Sequence, residues 1–93
     1  MLNTNSYFDG KVMSIALQNS QGQSTVGVME IGEYEFGTSK IEYMTVVSGA
    51  LIVLLPGEAD WKKYSAGETF IVQANQKFGV RVEEQTAYIC RYE

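Results

Sequence analysis

The chain contains no histidine. That removes Ser-His and Cys-His nucleophile pairs, imidazole-ligated zinc and the usual proton shuttle near neutral pH. Acid–base work must fall to carboxylates, tyrosine, lysine or the single cysteine, Cys90. Anion binding must fall to Lys11, Lys40, Lys62, Lys63, Lys77, Arg81 or Arg91, of which only Lys62 and Lys63 adjoin. Affinity for a nucleic acid polymer comes from clustered cations that displace counterions. Scattered cations on a chain of net charge −4 exclude that partner but leave room for a single phosphate. The arginines suit an oxyanion best, because the planar guanidinium binds two oxygens at once.

The opening residues, Met1-Leu2-Asn3-Thr4-Asn5-Ser6, have neither the basic nor the apolar segment of a secretion signal. No apolar run approaches the roughly 18 residues needed to span a bilayer. With Cys90 alone, no disulfide within the chain is possible. These features lead to the expectation of a cytoplasmic protein without a membrane partner.

The elements that must position any site are strands. Apolar residues alternate, or run in short stretches bounded by glycine and polar turns, and no segment has a helical period. After Asp9-Gly10, the stretch Lys11 to Leu17 puts Met13, Ile15 and Leu17 on one face. Gln18 to Ser24 reads as a polar hairpin loop, and Thr25 to Phe36 as mostly strand, bent at Gly27 and Gly32. Glu42 to Val47 and Ala50 to Leu55 flank Ser48-Gly49, a hairpin-type turn. A weak strand, Trp61 to Tyr64, is followed by Thr69 to Gln73, Phe78 to Val82 and Thr86 to Tyr92. Eight or nine short strands over residues 1–93 predict one all-β domain, a barrel or a sandwich. Leu51 to Leu55 is apolar on both faces, and without a helix to cover the second face the simplest cover is another subunit. A homodimer is therefore expected, the alternative being a two-layer sandwich with this strand at its centre.

Two spacings carry a resemblance. Glu42 and Gly49 are spaced as the end of the first cupin motif, and Gly67, Gln73, Asn75 and Phe78 as the second. The chain thus resembles a single-domain cupin-like (RmlC-like jelly-roll) β-barrel, with departures at its metal ligands. Phe78 replaces the histidine of the second motif, and Glu35 and Gly37, or Phe36 and Thr38, stand at the two histidine positions before Glu42. Of the cupin metal ligands only the carboxylate remains, and an isolated carboxylate does not hold a transition metal tightly. No metal and no cofactor are expected.

Longer strings resemble the small pyrimidine/purine nucleoside phosphorylase family: Tyr7-Phe8-x-Gly10-Lys11-Val12, Val26-Gly27-Val28-Met29, Gly32-Glu33-Tyr34-x-Phe36, Gly49-Ala50-Leu51 and Tyr88-x-Cys90-Arg91-Tyr92. Gln73 departs from this family and from cupins, which favour proline there. The resemblance implies phosphorolysis of purine and pyrimidine nucleosides, a glycosyl transfer with nucleosides and inorganic phosphate as the small-molecule partners.

That chemistry needs a seat for phosphate, a group serving the sugar and help for the departing base. If Phe78 faces the cavity, Val80 and Val82 do too and Arg81 points away, leaving Arg91 as the phosphate candidate; otherwise Arg91 forms a surface pair with an acid such as Glu93. Glu42 would serve the ribose or, with its pKa raised by burial, protonate the base. The alternative is a buried carboxylate satisfied by Thr45, a tyrosine or backbone donors. Tyr34, Phe78 and Tyr88, with Glu35 near them, are the substrate-binding candidates, against a role for the aromatics in filling the core. Cys90 is read as a small buried apolar residue. A metal-free cupin that binds a sugar or nucleotide without turnover is the competing function, and a metal-dependent cupin enzyme the third.

Overall fold

The computed structural model describes residues 1–93, which form ten strands and no helix. In chain order these are β1 (Thr4–Tyr7), β2 (Val12–Asn19), β3 (Gly22–Met29), β4 (Gly32–Gly37) and β5 (Glu42–Ser48). They continue as β6 (Ala50–Leu54), β7 (Lys62–Ser65), β8 (Thr69–Val72), β9 (Lys77–Val82) and β10 (Thr86–Tyr92). All pairings are antiparallel. One sheet has the order β1-β2-β3-β10-β5-β8 and the other β4-β9-β6-β7. The two are not joined edge to edge, so the jelly roll is a two-sheet one rather than a closed barrel.

Four local expectations change. The polar loop Gln18 to Ser24 is reduced to a two-residue turn, Ser20-Gln21, because Gln18 pairs with Gln23 and Asn19 with Gly22. The polar run Thr4–Tyr7 has no apolar alternation, yet it pairs with β2 as an edge strand. The stretch Thr25 to Phe36 breaks after Met29 and continues in the opposite sheet as β4. Ser48-Gly49 is not a hairpin turn: β5 pairs with β10 and β8, whereas β6 pairs with β9 and β7. It is a corner through which the chain changes sheets. Gly49 has φ +92°, and a Cβ there would stand 2.5 Å from Thr86 Oγ1 and 3.0 Å from the Gln85 carbonyl oxygen. The fully buried Thr86 hydroxyl accepts from Ala50 N–H at 3.2 Å and faces the carbonyls of Ala50 and Glu84 at 3.0 and 2.9 Å.

Between the sheets, Val12, Met29, Val46, Leu51, Val53, Val72 and Val80 are fully buried. Each contributes about 1.5–3 kcal/mol as apolar surface leaves water. The β9 alternation sends Phe78, Val80 and Val82 inward. Arg81 points outward, 3.3 Å from Glu33 and 3.8 Å above the Trp61 ring. Leu51 and Val53 enter the core, while Ile52 and Leu54 on the other face of β6 are half-buried. Trp61 folds back over Gly79, the partner of Leu54, so the chain itself covers part of that face. At Gln73, where cupins favour proline, the buried Thr38 hydroxyl donates to the Gln73 carbonyl at 2.6 Å and fixes the turn. No helix is long and apolar enough to cross a membrane.

Candidate active site

Glu42 opens β5 and is flanked by Tyr92 of β10 and Val72 of β8. Successive side chains on a strand point to opposite faces, so Tyr88, Cys90 and Tyr92 share the inner face with Glu42 and Met44. Beside them, β3 supplies Thr25 and β2 supplies Ser14. The opposite sheet contributes Phe36 from β4 and Phe78 from β9. With Tyr7, Phe8 and Met29 they line a cavity of about 290 Å³. That is near the lower end of the range for small-molecule sites, roughly 300–1,000 Å³. The Tyr88 ring lies where its β3 partner Gly27 has no side chain; a Cβ there would sit 2.6 Å from the Tyr88 hydroxyl.

Burial pushes the Glu42 carboxyl above the usual carboxylate range, opposed by a hydrogen bond from Cys90. Cys90 Sγ donates to Glu42 Oε1 at 3.5 Å. Desolvation, and then the neighbouring Glu42 charge, push the Cys90 thiol far up, so it is not a thiolate nucleophile. Burial raises the Tyr88 phenol to about 12. The Tyr92 phenol is also raised by burial, and its hydroxyl lies 3.1 Å from Thr25 Oγ1. The floor is thus a set of neutral hydroxyls around one carboxyl that resists ionisation. No arginine or lysine lines it.

A cupin metal does not fit this donor set. Phe78 occupies one ligand position, and no three carboxylate or thiol side chains in the structure converge as a cation site.

Of the residues singled out from the sequence, Glu42, Phe78 and Tyr88 line the cavity, whereas Glu35 only borders it. It stands between the inward Tyr34 and Phe36 and opposite the outward-facing Gly79, so the expected substrate-binding role of its carboxylate is corrected by alternation. Tyr34 does not. It is buried behind the wall, its hydroxyl donating to the Glu30 carbonyl at 2.6 Å and its ring 6.1 Å from Phe36. Arg91 is not brought to the cavity either. It lies on the outer face of β10, 4.3 Å above the Tyr43 ring and 3.2 Å from Glu93. Arg91 as the phosphate candidate is corrected by alternation: with Tyr88, Cys90 and Tyr92 inside, Arg91 points out and forms the surface pair with Glu93 that was its alternative. Thr45 bonds Thr69 at 2.7 Å instead of Glu42. Tyr92, Thr25, Ser14, Phe8 and Phe36 join the site without having been singled out for it. Alternation from Tyr88 gives Tyr92; Phe8 sits in a turn, where periodicity carries no signal.

Comparison with known proteins places this geometry in context. Residues 2–92 match the family model described as pyrimidine/purine nucleoside phosphorylase. A protein from Psychrobacter arcticus named pyrimidine/purine nucleoside phosphorylase 2 is 60% identical over 92 residues, covering 99% of this chain and 98% of the relative. A crystal structure from Vibrio parahaemolyticus superposes with a TM-score of 0.94 at 50% identity, covering 100% of this chain and 99% of the other. An RmlC-like cupin from Shewanella frigidimarina shares the fold, with a TM-score of 0.75 at 18% identity over 96% of this chain and 80% of its own.

Proposed function

This chain belongs to the pyrimidine/purine nucleoside phosphorylase family, and from that premise we propose that it is a pentosyltransferase acting on purine and pyrimidine nucleosides. A phosphate oxygen attacks the anomeric carbon as the bond from that carbon to the base nitrogen breaks. The bonding electrons leave with the base, which takes a proton, and the products are free base and pentose 1-phosphate. The observation that carries this reading is Glu42, a half-buried carboxyl with its pKa raised by desolvation, in a cavity lined by aromatic rings. A carboxyl whose pKa is raised in this way keeps its proton to higher pH than a free one, which suits it to protonate the departing base. Ser14, Thr25 and Tyr92 offer hydroxyls to the sugar or to phosphate oxygens. Arg91 takes no part in this reading, because its guanidinium lies outside the cavity. A free, buried Cys90 suits the reducing cytoplasm.

The test is release of free base from uridine and adenosine, with and without inorganic phosphate. Release that depends on phosphate and yields pentose 1-phosphate is the expected result. Nucleoside binding with no release under either condition would overturn the enzyme and leave a binding module.

We also infer a homodimer, formed through the outer face of the six-stranded sheet. Met13, Ile15 and Leu17 of β2, Val26 and Val28 of β3 and Ile71 of β8 stand there 39–50% exposed. Arg91 is the only charged residue that the strands of this sheet place on that face. Five strands of this length present a plane of roughly 600 Å² at ordinary strand spacing and rise. Their side-chain surface exceeds that plane and approaches the roughly 800 Å² per partner of a stable interface. Two copies of net charge −4 repel elsewhere, and a nearly uncharged sheet face is where they meet without opposing like charges.

A further inference from the structure

The turn between β1 and β2 holds an aromatic residue in a backbone conformation that aromatic residues avoid. Phe8 has φ 53°, Asp9 57° and Gly10 85°, three successive left-handed residues. Aspartate and glycine enter that region readily, whereas a bulky side chain there is an outlier. Two backbone hydrogen bonds fix the turn, Gly10 N–H to the Tyr7 carbonyl at 3.1 Å and Lys11 N–H to the Phe8 carbonyl at 3.2 Å. Such a conformation costs free energy that the surrounding structure must offset, and residues held this way concentrate at functional sites.

The conformation carries the Phe8 ring across to the opposite sheet. The ring stands 5.0 Å from Tyr34 and meets Phe36 edge-on, with centroids 5.6 Å apart and planes at 89°. Phe36 in turn stands 5.6 Å from Phe78, at 31°. Phe8, Phe36 and Phe78 therefore form one aromatic wall of the cavity. Packing alone does not account for the outermost ring, because Phe8 remains 44% exposed. A left-handed turn that ends with a half-open aromatic ring on a ligand-sized cavity presents that ring to something that enters.

We propose that Phe8 is a base-stacking residue of the nucleoside site, its ring covering the nucleobase at the cavity mouth and setting the balance between purines and pyrimidines. This rests on the nucleoside reading above. Stacking accepts any base, since each has a π-face, and a purine offers the larger one. Phe8 thus permits broad specificity while weighting it toward purines.

The test compares wild type with Phe8→Ala, Phe8→Trp and Phe8→Asn, by calorimetric binding of adenosine and uridine without phosphate and by phosphorolysis with it. Phe8→Ala is expected to weaken adenosine binding about ten-fold or more and uridine binding less, with KM following Kd and kcat changing only a few-fold. A ten-fold loss corresponds to about 1.4 kcal/mol, within the range for one base on an aromatic ring. Phe8→Trp restores adenosine affinity. Phe8→Asn separates ring from backbone: asparagine accepts a left-handed φ, so this variant melts no lower than Phe8→Ala yet binds as weakly. A lower melting temperature with unchanged Kd values and an unchanged adenosine-to-uridine ratio overturns the proposal and leaves Phe8 a packing residue. If wild type binds nucleosides but releases no base, the phosphorylase reading fails while the Kd pattern still decides Phe8. If wild type binds neither nucleoside, both fail.

Discussion

Glu42 is where the chemistry and the stability of this protein meet. Burial raises the pKa of its carboxyl, and in the proposed reaction it acts as the acid. Removing a positioned acid costs typically 10²–10⁴-fold in rate, so Glu42→Gln should lower kcat by that order in the base-release assay while preserving the shape of the cavity. The pH profile follows from the direction of the shift: kcat should fall as pH rises through the raised pKa, because only the protonated form donates. Stability has the same sign. Where the folded protein keeps the proton and the unfolded chain has lost it, folding binds protons, so stability is complete below the ordinary carboxylate pKa and declines as pH rises through the raised one. Thermal melts across pH should show this decline in wild type and a shallower one in Glu42→Gln. Equal slopes would mean that another group carries the linkage.

At the scale of elements, the cavity depends on how closely β3 and β10 approach. Gly27 opposes Tyr88, and a Cβ on residue 27 would meet the Tyr88 ring at 2.7 Å and the Met13 carbonyl oxygen at 2.7 Å. The ring has little freedom to move, because it is buried. The backbone oxygen has still less, because it belongs to the β2–β3 ladder. Overpacking of this kind costs about 1–3 kcal/mol, and in a domain of this length each kcal/mol lowers the melting temperature by about 4–8 °C. Gly27→Ala should therefore lower Tm by about 4–24 °C and also raise KM for nucleosides, since the displaced ring lines the site. A Tm unchanged within error would show that the strands part without cost.

For the molecule as a whole, the six-stranded sheet has one face on the core and the other in solvent, and the solvent face is apolar across β2 and β3 and nearly uncharged throughout. A monomer with this surface is prone to association, and the inferred dimer is the ordered form of it. Val28→Glu places a charge on the apolar part of that face, beside Met13 and Ala87, where a dimer would bury it unpaired. Sedimentation velocity should give a dimer for wild type and a monomer for Val28→Glu. Because Val28 is exposed in the single chain, the variant should keep its far-ultraviolet circular dichroism. A wild-type monomer would remove the inference, as would a variant that stays dimeric.

The sequence alone determined the fold class, because strand alternation and glycine-bounded turns are local signals. The β9 alternation was legible in this way, inward at Phe78, Val80 and Val82 and outward at Arg81. The same rule applied along β10 also settles Arg91: once Tyr88 and Cys90 are inside, Arg91 is outside. Family strings added the activity, and the cupin spacing added Glu42. Tertiary structure decided what depends on which strands become neighbours. Ser48-Gly49 has the composition of a hairpin turn, but whether its flanking strands pair is fixed by contacts with Thr86 and by the partners of β6, far along the chain. Tyr34 has the chemistry of a site residue, yet its hydroxyl is held by Glu30 and Phe8 stands on its ring. Phe8 itself lies in a turn with no period to read, and its place at the cavity comes from a left-handed backbone and a wall built by the opposite sheet. Local propensity specifies each strand, but only the packing of two sheets specifies the space between them.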